Sequence, residues 1–182
     1  MRVSFGTVPV EAIVQRNAAD VADELSLIAW RERRSECGGL VWGRLMRGAD
    51  GPAIFVAAMT PGVGRGSAAD FEIAPESYVV GQRMLRGAGF PRDLEEVGLW
   101  HSHPGYGAFL STTDEEYFRL CFPQSWKVSI VIDPLRRERA VYVKSPLGVV
   151  GIGARRCDDA SIEELPELSA TDLWRQVRGR IT

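Results

Sequence analysis

The chain has 182 residues, of which 45% are hydrophobic and 25% charged, and its formal net charge is −2. This length and composition are typical of one folded domain whose core needs no disulfide or metal to be stable, and they exclude a disordered chain. The slightly acidic balance offers no basic field for nucleic acid, so we expect no nucleic-acid partner.

The first quarter of the chain alternates strand and helix patterns. Residues 8–14 (VPVEAIV) predict a strand, and Asn17 is placed to cap a helix that runs to about Arg33 with one apolar stripe. The apolar runs GGLVWGRLM and PAIFVAAM, separated by RGADGP, then predict two strands joined by a turn.

The middle of the chain continues this alternation up to a pair of histidines. The glycine-rich stretch 60–68 (TPGVGRGSA) predicts a flexible loop. A second helix is predicted after Pro75, which suits a first helical turn, and it should end near the glycines at 87 and 89. EEVGLW at 95–100 predicts a strand that leads into the histidines.

The last third predicts a short helix, two strands and a C-terminal helix. STTDEEYFRLCF predicts the short helix, and SWKVSIVID and RAVYVKS predict strands joined by PLRRE. The final 25 residues begin acidic and then predict an amphipathic helix from about Ser169. Together these patterns predict an α/β fold of the α+β type, in which helices flank a mixed β-sheet.

Cysteine content and hydropathy bound the setting in which the protein works. The three cysteines are an odd number without CxxC spacing, so neither a disulfide framework nor a cysteine-rich zinc site is predicted. The longest apolar run, AIFVAAM, is too short to cross a bilayer, and the N-terminus lacks a signal-peptide pattern. We therefore expect a cytoplasmic protein with no membrane partner.

The only two histidines of the chain, His101 and His103, lie two residues apart at the end of a predicted strand. Residues i and i+2 of a strand point to the same face, so both imidazoles can reach one point. Asp114 opens the next predicted helix and can fold back to supply a carboxylate. Two imidazoles and a carboxylate make three ligands for a divalent ion and leave one tetrahedral position for water, as in a catalytic zinc site.

Two simpler interpretations compete with the metal site. An HxH pair recurs by chance, and Ser111 with Asp114 also fits a capping box, in which the serine accepts from a helix N–H and the acid reaches back. The combination of HxHP, six residues and SxxD, in a chain without another histidine, favours the metal site. The two roles of Ser111 are compatible, because a helix N-cap holds a hydroxyl rigidly.

These residues resemble the JAMM or MPN metalloproteases, which are related to the deubiquitinating subunits of the proteasome lid and the signalosome. The family pattern, an upstream glutamate and then HxHPx6SxxD, is complete here, with the glutamate at Glu36 in SECGGLVWG. Glu32 is the competitor, but it lies inside the helix pattern and lacks the following GGLVWG. The resemblance covers about residues 8–153 and implies the MPN/JAB1 cytidine-deaminase-like fold. We therefore expect a metalloprotease domain over residues 1–157 and a tail with the amphipathic helix over 158–182.

The resemblance implies one zinc ion per chain, bound by His101, His103 and Asp114, and metal-assisted hydrolysis of an amide. The zinc would lower the pKa of its water and polarise the scissile carbonyl. Glu36 would take the proton from that water and deliver it to the leaving amine. Ser111 would donate a hydrogen bond to the tetrahedral oxyanion.

The short chain and the double glycine after Glu36 resemble prokaryotic members, many of which accompany ubiquitin-like conjugation systems. The implied partners are a ubiquitin-like modifier and its conjugates, with the activating and conjugating enzymes of the same system as further candidates. The loop 61–70 corresponds to a family insertion that would clamp the modifier tail as an added strand; an ordinary mobile hairpin is the alternative. The candidate substrate contacts are Phe109, Gly62, Gly64 and Gly66.

Three other functions are compatible with parts of the pattern. Some relatives process sulfur-carrier proteins, which also end in Gly-Gly. Catalytically silent MPN scaffolds are common in large complexes, but they generally lose the ligands retained here. A non-haem iron oxygenase also uses two histidines and a carboxylate, but it explains neither Ser111 nor Glu36. Metal analysis separates these hypotheses, because iron without zinc would argue against hydrolysis.

Overall fold

The computed structural model describes residues 8–68, 70–157 and 164–181. Among these residues, no helix is both long enough and apolar enough to cross a membrane. The helices and strands are, in chain order, β1 (Glu11–Gln15), α1 (Arg16–Arg33), β2 (Gly38–Arg47), β3 (Pro52–Pro61), β4 (Gly64–Gly66), β5 (Phe71–Ile73), α2 (Ser77–Gly87), β6 (Glu95–Ser102), α3 (Thr112–Cys121), β7 (Val128–Asp133), β8 (Glu138–Ser145), β9 (Gly148–Cys157) and α4 (Ala170–Val177).

Seven of the strands form one mixed sheet that closes on itself. Its order is β1-β3-β2-β6-β7-β8-β9, and the closure is a parallel pairing between β9 and β1. The predicted mixed sheet flanked by helices is thus confirmed, but the closure was not predicted. Strand β9 shows no apolar alternation, because most of its residues are exposed and three glycines interrupt it.

Helix α1 begins and ends close to the predicted positions, but its predicted cap is wrong. The N-cap residue is Gln15, and it makes no side-chain cap hydrogen bond. The amide of Asn17 instead pairs with the backbone of Leu168, donating to its carbonyl at 3.1 Å and accepting from its N–H at 2.8 Å. Asn17 therefore ties the start of α1 to the segment that precedes α4.

The stretch 60–68 contains strand structure where its glycines predict a loop. It contains the end of β3 and the short strand β4, which pairs antiparallel with β5 from Gly64↔Ile73 to Gly66↔Phe71. We refer to β4, β5 and the residues that join them as the β4–β5 hairpin. A glycine-rich stretch can indicate either a mobile loop or a place where backbones pack closely, and here the second explanation applies.

Helix α4 packs against α1 through its apolar face. Leu173, Trp174 and Val177 are buried, and the Trp174 indole N–H donates to the Glu32 carboxylate at 2.8 Å. The helix begins close to the predicted position, and Ser169 caps its N-terminus by accepting from the Asp172 N–H. The predicted domain boundary adjoins residues 158–163, which lie outside the described part of the chain, and it stays a prediction.

The centre of the sheet fixes the strand end that carries the histidines. Trp42 of β2 and Trp100 of β6 are fully buried, and their indole N–H groups donate to the Thr60 hydroxyl at 2.8 Å and to the Thr60 carbonyl at 3.0 Å. Strand β6 also pairs in parallel with β7, with His101 opposite Val131. The C-terminal end of β6 is therefore held on both sides.

Candidate metal centre

The three predicted metal ligands meet at one point. The Nε2 atoms of His101 and His103 lie 3.1 Å apart, and each lies 3.4 Å from Oδ2 of Asp114. Both imidazoles are buried, while the aspartate is partly exposed. The strand end supplies the histidines, and the first turn of α3 folds back to supply the carboxylate.

The donor set fits a zinc ion. Tetrahedral zinc with bonds of about 2.0–2.1 Å separates its ligand atoms by about 3.3 Å. The separations here are 3.1 to 3.4 Å. His101, His103 and Asp114 are thus arranged as three ligands of one ion.

A capping box at the start of α3 holds the carboxylate in place. The Ser111 hydroxyl oxygen accepts from the Asp114 N–H at 3.2 Å, and Oδ2 of Asp114 accepts from the Ser111 N–H at 2.9 Å. The cap uses a lone pair of the serine oxygen, which leaves its O–H to donate elsewhere. The capping role and the predicted catalytic role of Ser111 are therefore compatible.

The interaction between Asp114 and the two histidines shifts the pKa values of Asp114 and His103 toward their charged forms. Burial opposes ionisation of Asp114, but hydrogen bonds from His101 and His103 hold the pKa of this carboxyl well below its usual range. Burial would lower the pKa of His103, yet its hydrogen bond with Asp114 and the charge of Glu36 raise it. The centre is an electronegative pocket that favours a cation.

Glu36 is a buried carboxyl beside this centre. Burial raises its pKa to about 8, against the attraction of His103, and the charge of Asp114 raises it further. A carboxyl whose pKa lies near neutrality suits proton transfer in both directions. A cation held by the histidines would lower this pKa, because an opposite charge favours the ionised form.

Backbone hydrogen bonds fix Glu36 at the start of β2. The next residue, Cys37, donates its N–H to the Ser102 hydroxyl at 3.0 Å and accepts from the Ser102 N–H at 2.8 Å. Glu36 itself donates its N–H to the carbonyl of Ser67, just past β4, at 2.7 Å. Ser102, which lies between the two histidines in sequence and is fully buried, was not singled out by sequence reasoning.

A glycine allows β2 and β6 to approach closely here. A Cβ at Gly38 would lie 2.5 Å from the Trp100 carbonyl oxygen and 3.0 Å from the His101 Cβ, so a side chain would push the strands apart. The competing Glu32 lies in the last turn of α1, where it accepts from Trp174. The charges of His103 and Asp114, in contrast, act on the pKa of the Glu36 carboxyl.

Sequence reasoning missed a fully buried aspartate at the end of β7. Asp133 accepts from the N–H groups of Gly105 at 2.9 Å and Gly107 at 2.7 Å, in the loop that follows His103. Both glycines have φ near +90°, which favours glycine. Burial opposes ionisation, but these N–H donors keep the pKa of Asp133 below its usual range. An aspartate that ends a buried strand before a proline, in VSIVIDP, is the signal that could have indicated it.

The loop held by Asp133 presents Phe109 at the edge of the metal centre. The Phe109 ring is half-exposed and meets the His103 ring edge to face, with 5.2 Å between centroids. Two further apolar side chains are exposed here: Tyr106 is 57% exposed and Leu135 is 50% exposed. Leu135 lies beside this loop, because a Cβ at Gly105 would lie 3.7 Å from its side chain. A substrate would therefore meet apolar side chains on this side.

The three predicted glycine contacts lie in or beside the β4–β5 hairpin. Gly62 is buried and donates its N–H to the Gly38 carbonyl at 2.8 Å. A Cβ at Gly64 would lie 1.9 Å from the Glu72 carbonyl oxygen, and a Cβ at Gly66 would lie 3.0 Å from that of Glu36. These glycines allow close packing of the hairpin, and their contact with substrate stays a prediction.

A cavity of about 200 Å³ connects the hairpin to the metal centre. One wall is formed by Phe71 and Glu72 of β5, and the other by Thr113 and Tyr117 of α3. His101 and Asp114 also line it. The metal centre is thus reached through a groove between β5 and α3.

A family model described as prokaryotic homologs of the JAB domain matches residues 18–143. The chain belongs to this family. The matched range contains the metal ligands and both predicted catalytic residues, and the JAMM/MPN membership predicted from the motif is confirmed.

Curated relatives of this JAB-family chain include two proteins named COP9 signalosome complex subunit 5. The protein from Caenorhabditis elegans is 47% identical over 67 residues, which is 36% of this chain and 16% of the relative. The protein from Eremothecium gossypii is 39% identical over 84 residues, or 44% of this chain and 18% of the relative. The matched segments thus span less than a fifth of these relatives.

The JAB-family fold is also found in a solved structure. The solution structure of protein DSY2949 from Desulfitobacterium hafniense is similar with a TM-score of 0.58 and 21% identity, covering 81% of this chain and 93% of that one. This likeness shows a shared fold.

Proposed function

We propose that this chain is a zinc metallo-isopeptidase or peptidase that cleaves after the C-terminal glycine of a ubiquitin-like modifier. The observation that carries the proposal is the convergence of His101, His103 and Asp114 at the end of a groove, beside the buried Glu36. A scaffold without activity would need neither the ligand geometry nor this glutamate.

Each residue of the centre has a role in the proposed hydrolysis. His101, His103 and Asp114 would hold the zinc, which supplies Lewis-acid polarisation and makes water acidic enough to react near neutral pH. Glu36 accepts a proton from the attacking water and passes it to the departing amine, so the proton count balances over the two steps. The Ser111 O–H donates to the oxyanion that forms on the scissile carbonyl.

The shape of the groove favours an extended, narrow substrate. Within the described residues, β5 pairs with no strand other than β4, and on its other edge the Ile73 carbonyl accepts from the Tyr117 hydroxyl at 3.2 Å. An added strand would pair with the remaining groups of that edge. A tail that ends in glycine can pass between β5 and α3 to reach the metal centre. The similarity to the two signalosome subunits and the resemblance to deubiquitinating enzymes support a modifier of the ubiquitin class.

The same proposal names the partners and the compartment. The partners are the modifier and its conjugates, together with the activating and conjugating enzymes of the same system. We expect the protein to act in the cytoplasm. A sulfur-carrier protein, which also ends in Gly-Gly, is the other substrate to be compared.

The direct test uses modifiers fused to a reporter through their C-terminal glycines. We expect the zinc-loaded protein to release the reporter from a ubiquitin-like fusion, with mass spectrometry placing the cut after the last glycine. A fusion with Gly-Gly replaced by Val-Val should resist, and His103→Ala protein is the matched enzyme control. Release from the sulfur-carrier fusion alone would reassign the substrate, and equal cleavage of the Val-Val fusion would contradict tail recognition.

A further inference from the structure

The segment that follows α4 lies along one edge of the β4–β5 hairpin. Ile181 forms a parallel β-bridge with Gly64 of β4 and is 4% exposed. A Cβ at Gly66 would lie 3.7 Å from the Ile181 side chain, so the isoleucine also covers the far end of β4. A region of the chain that is distant in sequence therefore packs onto the hairpin beside the groove.

Arg33 fastens this segment to the body of the domain. Its guanidinium donates to the carbonyls of both Arg178 and Ile181, and it lies over the Trp174 ring at 5.9 Å from the ring centroid. Hydrogen bonds from a charged donor are stronger than neutral ones. One side chain at the end of α1 thus holds both ends of the segment Arg178–Ile181.

The hairpin connects the Arg178–Ile181 segment to Glu36 beside the metal centre. Glu36 follows Arg33 by three residues, and its N–H donates to the Ser67 carbonyl just past β4. With β4 covered by Ile181, the edge left for an added strand is that of β5, which lines the groove beside His101 and where Ile73 accepts a hydrogen bond from Tyr117. The segment therefore determines which edge of the hairpin can receive a strand.

We propose that Arg178–Ile181 is a brace that positions the β4–β5 hairpin for the substrate tail, with Arg33 as the positioning residue. Its consequence for catalysis rests on the proposed function, but its effect on the hairpin does not. Loss of the brace would leave the predicted metal ligands intact and loosen the β4–β5 hairpin, whose β5 edge would receive the tail. Substrate capture should weaken while the chemical step is retained.

Hydrogen exchange of the hairpin tests the brace without any substrate. Arg33→Ala should speed exchange of the β4 and β5 amides and leave the β6 and β7 amides unchanged. Arg33→Lys should restore part of the protection, because a lysine can still donate to one of the two carbonyls. Arg31→Ala is the matched control, since Arg31 lies on the same exposed turn and makes none of these contacts.

Kinetics on a tailed substrate test the consequence. We expect Arg33→Ala, which removes both charge-assisted hydrogen bonds, to raise KM by about tenfold or more, with kcat within about twofold and zinc content unchanged. Ile181→Ser should have the same pattern by removing the buried contact on β4. A fall in kcat without a change in KM would overturn the positioning role.

The brace and the proposed function can fail separately. Unchanged exchange of β4 and β5 in both Arg33→Ala and Ile181→Ser would overturn the brace, whatever the activity. Faster exchange in these variants, together with no cleavage of any fusion by the unaltered protein, would support the brace and contradict the proposed function. Thermal unfolding of each variant identifies a global loss of stability, which would count against a local brace.

Discussion

The metal centre and the β4–β5 hairpin are neighbours that are held in opposite ways. The predicted ligands of the centre are fixed locally: His101 lies at the end of β6 and His103 directly follows that strand, while Ser111 and Asp114 cap each other three residues apart. The hairpin is held from afar, because Arg33 and Ile181 are 148 residues apart. The first region is built into a central strand and a helix start, and the second depends on an added segment.

Under the proposed function, this difference separates chemistry from substrate capture. Catalytic groups need fixed positions, since small misplacements of reacting groups cost large factors in rate. A strand that grips an extended tail must accept and release it, so it can be held by fewer contacts. Variants in the first region should therefore affect zinc or kcat, and variants in the second should affect KM.

Removing a predicted metal ligand should abolish both zinc binding and activity. His103→Ala leaves His101 and Asp114 as a weak two-ligand site, so we expect zinc occupancy to fall from about one per chain to near zero, with activity at background. Elemental analysis and reporter release measure the two effects. Full zinc occupancy in this variant would refute the ligand assignment.

Replacing Glu36 should separate proton transfer from metal binding. Glu36→Gln keeps the size of the side chain but cannot accept a proton, so turnover should fall by about 10⁴-fold, the upper end for a general base, while zinc stays bound. Glu32→Gln is the matched control, because that carboxylate bonds to Trp174, and it should remain active. The reverse order of damage would mean that Glu32 is the base.

Removing the Ser111 hydroxyl should be milder. Ser111→Ala should lower kcat by about 10²- to 10³-fold through loss of an oxyanion donor. Loss of the α3 cap should also lower the free energy of unfolding by about 1 kcal/mol. Denaturant unfolding separates the two effects, because Ser169→Ala removes the corresponding cap of α4 and should cost stability without this loss of rate. An equal loss of kcat in Ser169→Ala would show that Ser111 acts through the fold alone.

Loosening the loop after His103 should have the smallest effect on activity. It should also show whether this loop belongs with the metal centre or with the substrate contacts. In Asp133→Asn, one oxygen can still accept from Gly105, but the new NH₂ group would face the Gly107 N–H, so that bond is lost. We expect a destabilisation of about 1–3 kcal/mol and a KM raised about tenfold, since the loop presents Phe109 to the substrate. Bound zinc should remain. A zinc content as low as that of His103→Ala would instead place Asp133 among the supports of the metal.

The sequence was most informative where the contacts are local. The HxH spacing on a strand and the SxxD spacing at a helix start both follow from the geometry of one element, so the three ligands could be placed before the fold was known. The pairing of β2 with β3 was also readable, because one turn joins them. Glu36 was assigned by resemblance, and the structure places its carboxyl beside His103 and Asp114.

What the sequence did not reveal depends on contacts between distant segments. Asn17 has the chemistry of a cap, but its partner Leu168 lies 151 residues away. Strand β9 closes the sheet with few buried side chains, so no apolar alternation marks it. Asp133 and Arg33 act through backbone groups of loops whose positions only the folded chain defines. Tertiary contacts of this kind override the local signal on which pattern reading relies.

Metal-dependent cleavage by the unaltered protein is the most direct test of the proposed zinc-dependent hydrolysis. Purified protein should contain about one zinc per chain, release the reporter from a glycine-tailed modifier fusion, lose this activity on chelation and regain it when zinc is added back. Stoichiometric iron in place of zinc, or full cleavage by the zinc-free protein, would contradict a zinc-dependent hydrolysis.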